Sequence, residues 1–579
     1  MNAARMFVPE FVTLPIAPHR CVVYNALDGP GLELSSGEHA VLAACAGWRT
    51  LAEHEARATA HLSAPPEHRA AIRELLERCA RQRLLLPVEE LVIRFGAPSS
   101  AQPSAFGGAV VRTADRPRLL ARLLASAEAL EARGAQKQRW LVIDDSHDST
   151  NEQANRAAIA NAHSLEIRHY DRAAADAFEE ELIAEFPHAA REIAWLLGAG
   201  SAAEPTPGRP LNHALLQLAG RAFVGFDDDT VLEPRQPALA DRGFAVSDEL
   251  DALTWYGSEE SLLRHCPPAD VDPIAQHARW LGLPMADAWA RAEREHGSLA
   301  AMEITPALAS RFAADARIIF TRSHSCGDPG SNALPLHLFS LPARSRQWLA
   351  TNPEAAEHGF AERINWRGQA QLRLAPGWHM IVTTIAGFDN SRLLPPTTRG
   401  HRSTDLLLGA VTHWIHRTAW QVDLPFGLPH RREPTRQWLR ASETVTSEPL
   451  SFILACVARS EAACIAAEPE QRLAAVGALL LDIAAAGDSQ LAEMLLQHAM
   501  DAASSALFSI HEQLDDAALP AAWKQRLTAW LGSPALALDD AGARARVLDV
   551  TAMRSLIESY GRALLVWPEL WQFCRELNR

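Results

Sequence analysis

Eight cysteines in 579 residues are too few for a disulfide scaffold, and they are scattered: Cys21, Cys45, Cys79, Cys266, Cys326, Cys456, Cys464 and Cys574. None forms a CxxC pair or a Cys/His pair at zinc spacing, so reduced thiols in a cytoplasmic protein are expected. The N-terminus, MNAARMFVPEF, lacks the apolar stretch of a signal peptide. The most apolar later run, Leu473 to Ala486, contains Asp482; it is too short to span a bilayer and reads as a buried helix. Basic charge is in deficit, with 55 Lys+Arg against 70 Asp+Glu and a formal net charge of −15. Such a surface disfavours nucleic acid and anionic lipid as partners. GxSxG, Walker A, GxGxxG and HExxH are all absent, which removes the common hydrolase, P-loop, dinucleotide and zinc-protease chemistries.

The length is too great for one ordinary core, and about three domains are expected. Residues 1–97 open with β-like runs, FVTLPI, CVVYNAL and LELS. Three helical patterns follow, SGEHAVLAACAG, TLAEHEARATAHL and EHRAAIRELLERCARQ, and two apolar runs, LLLPV and LVIRF, close the zone. The Gly/Pro/Ser-rich stretch GAPSSAQPSAFGG reads as a linker. Residues 105–432 alternate strands (GGAVVRT, RWLVIDD, EIRHY, RAFVGF) with helices, which predicts an α/β domain with a mostly parallel sheet covered on both faces. Residues 433–579 are rich in Ala and Leu at helical spacing and predict an all-α domain.

Ligands of open parallel sheets bind at the carboxyl ends of the strands. Here the first strand ends in Thr113-Ala114-Asp115-Arg116, the second in Asp144-Asp145-Ser146 and the fourth in Asp227-Asp228-Asp229. A crevice rimmed by so many carboxylates needs a shared cation or full solvation. Hard oxygen ligands suit Mg²⁺ or Mn²⁺, and an Asp-x-Asp turn offers two side chains to one ion, which would stabilise a diphosphate leaving group. The competing reading of the triple Asp is an acidic solvated turn.

The order of these motifs, VVRTADRPRLLARLLAS, LVIDDSHD, GRPLNHALLQLAGRAFVGFDDDT and GFDNSRLLPPTTRGHRSTDLLLGAV, resembles the family 2 glycosyltransferases of GT-A fold. The resemblance implies a nucleotide-sugar donor, a UDP-sugar, held by Thr113, Arg116, Asp144, Asp145, Arg209, Asn212 and Asp228. It implies Mn²⁺ or Mg²⁺ on Asp227, Asp229 and His430, and Asp405 as the general base of an inverting hexosyl transfer. The family's acidic pair reads Thr404-Asp405 here, so its first carboxylate is missing. From the residues alone, Asp405 also reads as part of a helix N-cap with Ser403 and Thr404. His430 reads equally as a loop histidine beside Arg431 and Arg432. His413 and His416 read as helix residues, and Trp255-Tyr256 as packing or a stacking platform.

The first zone is similar to PqqD-like domains that recognise precursor peptides. The likeness lies in the apolar helix Ala40 to Cys45, then Gly47-Trp48-Arg49-Thr50, Leu51 to Ala60, Glu67 to Gln82 and the run Leu84 to Leu86. It implies a winged-helix-like unit that binds a leader segment by β-augmentation. Together the two resemblances imply glycosylation of a Ser, Thr or Cys in a ribosomally made precursor peptide. The alternatives are a transferase of cell-surface glycan assembly and a degenerate domain that binds without transfer. The helical zone is open to shaping the acceptor side or forming a homodimer.

Overall fold

The computed structural model describes residues 4–9, 11–25, 31–90, 96–200, 205–300, 303–328, 336–361, 363–377, 385–433, 440–443, 445, 447–460, 464 and 466–578. The LVIRF run lies outside them. The N-terminal unit holds β1 (Met6–Phe7), β2 (Phe11–Ala17), β3 (Arg20–Asn25), β4 (Leu32–Ser35) and β5 (Leu86–Pro87), with helices Ser36–Ala44, Leu51–His61 and Arg69–Arg81. Strands β2, β3 and β4 form an antiparallel sheet, while β1 pairs with β5. Ser35 and Thr50 start the first two helices through capping boxes with Glu38 and Glu53. The unit has its own core around Val23, Leu42, Leu76 and Cys79.

The central sheet is built from β6 (Phe106–Thr113), β7 (Arg139–Asp144), β8 (Glu166–Tyr170), β9 (Ala222–Asp227), β10 (Phe244–Val246), β11 (Ala252–Trp255), β12 (Arg317–Gly327), β13 (Asn365–Gly368), β14 (Leu372–Pro376), β15 (Ile385–Asp389) and β16 (Ala419–His430). Its order is β10-β14-β16-β12-β15-β9-β6-β7-β8, with β13 beside the second half of β12 and β11 beside β13. The parallel expectation describes β9, β6, β7 and β8, and holds again for β10 with β14 and for β12 with β16. Beyond β9 antiparallel partners enter, first β15 and then β12 against β15, so the sheet is mixed. The near-continuous apolar strands are buried on both faces, as the sequence pattern requires. Val110, Phe223 and Phe388 face one core; their neighbours Val111, Val224 and Phe226 face the other.

The helical zone does not form a core of its own. Leu450, Leu473, Leu480, Tyr560 and Trp567 share one cluster with Val110, Leu211 and Phe388, so these helices cover one face of the sheet. Helices Asp488–Asp515 and Ala521–Leu531 bring Ile510 and Trp523 onto Trp255, Tyr256 and Trp348. Among the described residues no single helix is long and apolar enough to cross a membrane; the one bent pair that passes jointly, Pro469–Ala484 with Asp488–Asp515, includes the apolar run of the sequence and buries Leu473, Val476 and Leu480.

Candidate functional site

From β6 the chain moves outward through β7 and β8, then returns to the other side of β6 as β9. Such a reversal opens a crevice at the strands' carboxyl ends. In the register of β6 and β9, Arg112 lies opposite Asp227. The residues just past both strand ends therefore meet. Thr113 Oγ1 donates to Asp228 Oδ2 at 2.7 Å, and Arg112 Nη2 lies 2.5 Å from Asp227 Oδ1. Arg116, partly exposed, stands 3.2 Å from Asp228 Oδ1 and 3.5 Å from Asp229 Oδ2.

The third side comes from the end of β16. Thr230 bridges His430, and the Arg431 N–H donates to the Asp229 carbonyl at 2.8 Å. Gly327 permits the close approach: its φ is +119°, and a Cβ there would stand 2.6 Å from the His430 carbonyl oxygen. His430 is thus buried at a strand end, not in a solvated loop. Its Nδ1 donates to the Asp328 carbonyl at 2.5 Å, which turns Nε2 toward Asp229 Oδ1, 2.9 Å away. A backbone carbonyl on one ring nitrogen is the usual way of fixing the other as a ligand.

Asp227, Asp229 and His430 each present a ligand atom within 4.8 Å of the others. The set fits a divalent ion in its chemistry, two carboxylates and an imidazole. The buried atoms Asp228 Oδ1 and Asp229 Oδ1 accept no hydrogen bond, only charge contacts. Burial, opposed by Arg116, pushes the Asp228 carboxyl up to about 7. Asp229 is equally buried, but His430 and Arg116 hold its carboxyl well below the usual range. Burial works against a charged His430 ring, yet Asp229 beside it raises its pKa.

The remaining expected donor residues are more engaged. Asp144 accepts from Ser146, Asn155 and His169, and Asp145 from Arg209 at 2.5 Å and Thr206 at 2.7 Å. Both carboxylates are buried, as is Arg209, which also donates to the Leu197 carbonyl and Asp176. They brace the floor of the crevice. Asn212 spends its amide on the segment before helix Thr404–Ile415: Nδ2 donates to the Thr397 carbonyl at 2.9 Å, and Oδ1 accepts from Thr397 N at 2.8 Å. Gly208 allows this closeness, since a Cβ there would meet the Thr398 carbonyl at 2.0 Å. From behind, helix Val550–Leu577 pins the same segment through Tyr560 to the Pro396 carbonyl, Trp567 to the Leu394 carbonyl and Trp571 to Asn390. The sequence left the zone that holds this helix open between shaping the acceptor side and forming a homodimer.

Asp405 stands in the first turn of helix Thr404–Ile415 and is partly buried. It is not the cap: Ser403 is, with left-handed φ of 66° and no side-chain cap bond. Burial pushes the Asp405 carboxyl up, Arg112 pulls it down and Asp227 adds to the rise. The candidate base and the acidic turn thus share one electrostatic environment. Trp255 and Tyr256 are buried against Trp523 and Trp348, which makes them packing residues. His413 is a buried residue of helix Thr404–Ile415 and His416 its buried C-cap, and among the described residues neither joins a candidate metal-ligand group. Arg432 lies 3.6 Å from Asp229, while Arg431 pairs with Glu259.

In the N-terminal unit, Trp48 donates to the Ile304 carbonyl at 2.8 Å and packs at a tilt against Phe7, which enters the core of the central sheet. A separate groove of about 470 Å³ is lined by Arg49, Arg57, Ala60 and His61. Comparison of the chain with protein-family models, with curated proteins and with solved structures found no match to any of them.

Proposed function

We propose that this chain is a metal-dependent glycosyltransferase of GT-A type that acts on a ribosomally made precursor peptide. The observation that carries it is the ligand set of Asp227, Asp229 and His430 at the reversal point of the sheet, with Asp405 in the same field. Mn²⁺ or Mg²⁺ held by these three residues would supply charge stabilisation for a departing nucleoside diphosphate. Arg116 and Arg432, both partly exposed, are the chain's own cations for that diphosphate. Thr113, Asp144, Asp145, Arg209 and Asn212 hold the crevice in shape, and Asp228 sits beneath it as a buried acid. Asp405 takes the proton of an acceptor hydroxyl or thiol; a raised pKa suits a general base.

Against the acidic overall charge, Arg49 and Arg57 make the groove beside His61 cationic, fitted to an acidic leader segment. The open outer edge of β2, with Leu14 and Ile16 exposed, offers a strand for β-augmentation. The test is sugar transfer from UDP-sugars to precursor peptides encoded beside the gene, followed by mass spectrometry. Asp405→Asn is expected to lower transfer by about 10²–10⁴-fold. Equal transfer by wild type and Asp405→Asn would sink the base assignment, and no transfer to any peptide would sink the peptide reading.

A further inference from the structure

Asp227 is the most exposed of the three acids in the turn, yet it is not left to solvent. Arg112, on the neighbouring strand and opposite it in register, places Nη2 2.5 Å from Oδ1. Both side chains are partly buried, 12% exposed for Arg112 and 33% for Asp227, so the pair is only partly screened by water. The other two acids have different cations. Asp228 faces Arg116, and Asp229 faces Arg116, Arg432 and His430. The charge of Arg112 falls on both Asp227 and Asp405.

Resting on the metal reading above, we propose that Arg112 is a built-in counter-cation for Asp227, holding the carboxylate when no divalent ion is bound and yielding it when one arrives. A guanidinium at hydrogen-bond distance and a divalent ion on the same carboxylate repel each other strongly where water is partly excluded. Binding of the ion therefore works against Arg112. The register fixes Arg112 at this place, so the competition is a property of the fold and not of a mobile surface chain. The benefit to the empty protein is that a clustered acidic turn folds without its metal, at the cost of weaker metal binding.

The competition has a readout apart from catalysis. Mn²⁺ is titrated into the full-length chain at fixed pH and ionic strength, with free Mn²⁺ followed by electron paramagnetic resonance. Arg112→Gln is expected to bind Mn²⁺ about 10-fold more tightly than wild type, from loss of one nearby positive charge. Arg112→Lys keeps the charge on a shorter, single-point donor and is expected to tighten binding a few-fold; it serves as the reading should Arg112→Gln not fold. Arg432→Gln, whose contact to Asp229 is longer, is expected to give a smaller rise than Arg112→Gln. Binding that is unchanged or weaker in the Arg112 variants overturns the proposal, since weaker binding is what an orienting partner of the ligand would give. So does an equal rise in Arg432→Gln. If wild type and variants all fail to bind Mn²⁺, the metal reading itself falls; if wild type binds and Arg112→Gln binds no tighter, only the counter-cation falls.

Discussion

Two buried clusters of Asp, Arg and His lie in the same sheet, and they are built differently. Under β12, β14 and β16, Arg322 grips Asp251 with two bonds of 2.7 Å and Asp423 with one of 3.0 Å. Arg373 reaches Asp423 at 2.6 Å, Gln421 reaches it at 2.6 Å, and Gln369 reaches Asp251 at 3.0 Å. All four carboxylate oxygens are taken. At the end of β9, by contrast, Asp228 Oδ1 and Asp229 Oδ1 accept no hydrogen bond. Their nearest arginines stand 3.2 to 3.6 Å away.

The histidines move in opposite directions. Burial and Arg322 press the His324 pKa down to about 4, whereas His430 is raised by Asp229 despite burial. The same residue types thus make a saturated scaffold in one place and, in the other, an acidic turn in which two buried carboxylate oxygens have charge contacts only. Saturation, not acidity, separates the two.

Acid sharpens this comparison most. Burial lowers His213 and His277 to about 3, and His324 and His416 to about 4, all far below the ordinary 6.5. These rings stay neutral in the folded chain and charge when it unfolds, so stability is lost as pH falls below 6.5 toward those values. Between pH 7 and pH 5 each is expected to cost about 2 kcal/mol. His430 runs the other way: its raised pKa adds stability below 6.5, lost as pH rises through the folded value. Denaturant unfolding at a series of pH values checks the sum; a chain equally stable at pH 5 and pH 7 would break the account of the buried rings.

The next largest effect belongs to the saturated cluster. Arg373→Met leaves Asp423 short of a buried partner and is expected to cost about 3–5 kcal/mol of stability, measured by urea unfolding. A cost under about 1 kcal/mol would mean that the network is not the scaffold described.

Legibility followed sequence distance. Asp227 and Asp229 were readable because an apolar strand ending in acids is a local pattern, whereas His430 was named only through the resemblance and read equally as a loop histidine. The sheet around β6 to β9 was readable for the same reason. Arg112 was not, since GGAVVRT reads as an ordinary strand and its partner is 115 residues away across a register. The network of Asp251, Arg322, Arg373 and Asp423 comes from separate segments, and no single one signals it. Asp144 and Asp145 were expected to hold the nucleotide sugar, but their carboxylates already accept from Ser146, Asn155, Thr206 and Arg209. The helical zone was recognised as helical, yet periodicity says nothing of whose core it completes; Trp567 and Tyr560 show that it is the sheet's.

The central claim is that the turn after β9 is a metal site, and calorimetric Mn²⁺ titration of wild type beside Asp229→Asn tests it most directly. One ion per chain is expected for wild type, with affinity at least about 100-fold weaker in Asp229→Asn. No binding to wild type, or equal binding by both proteins, would contradict it.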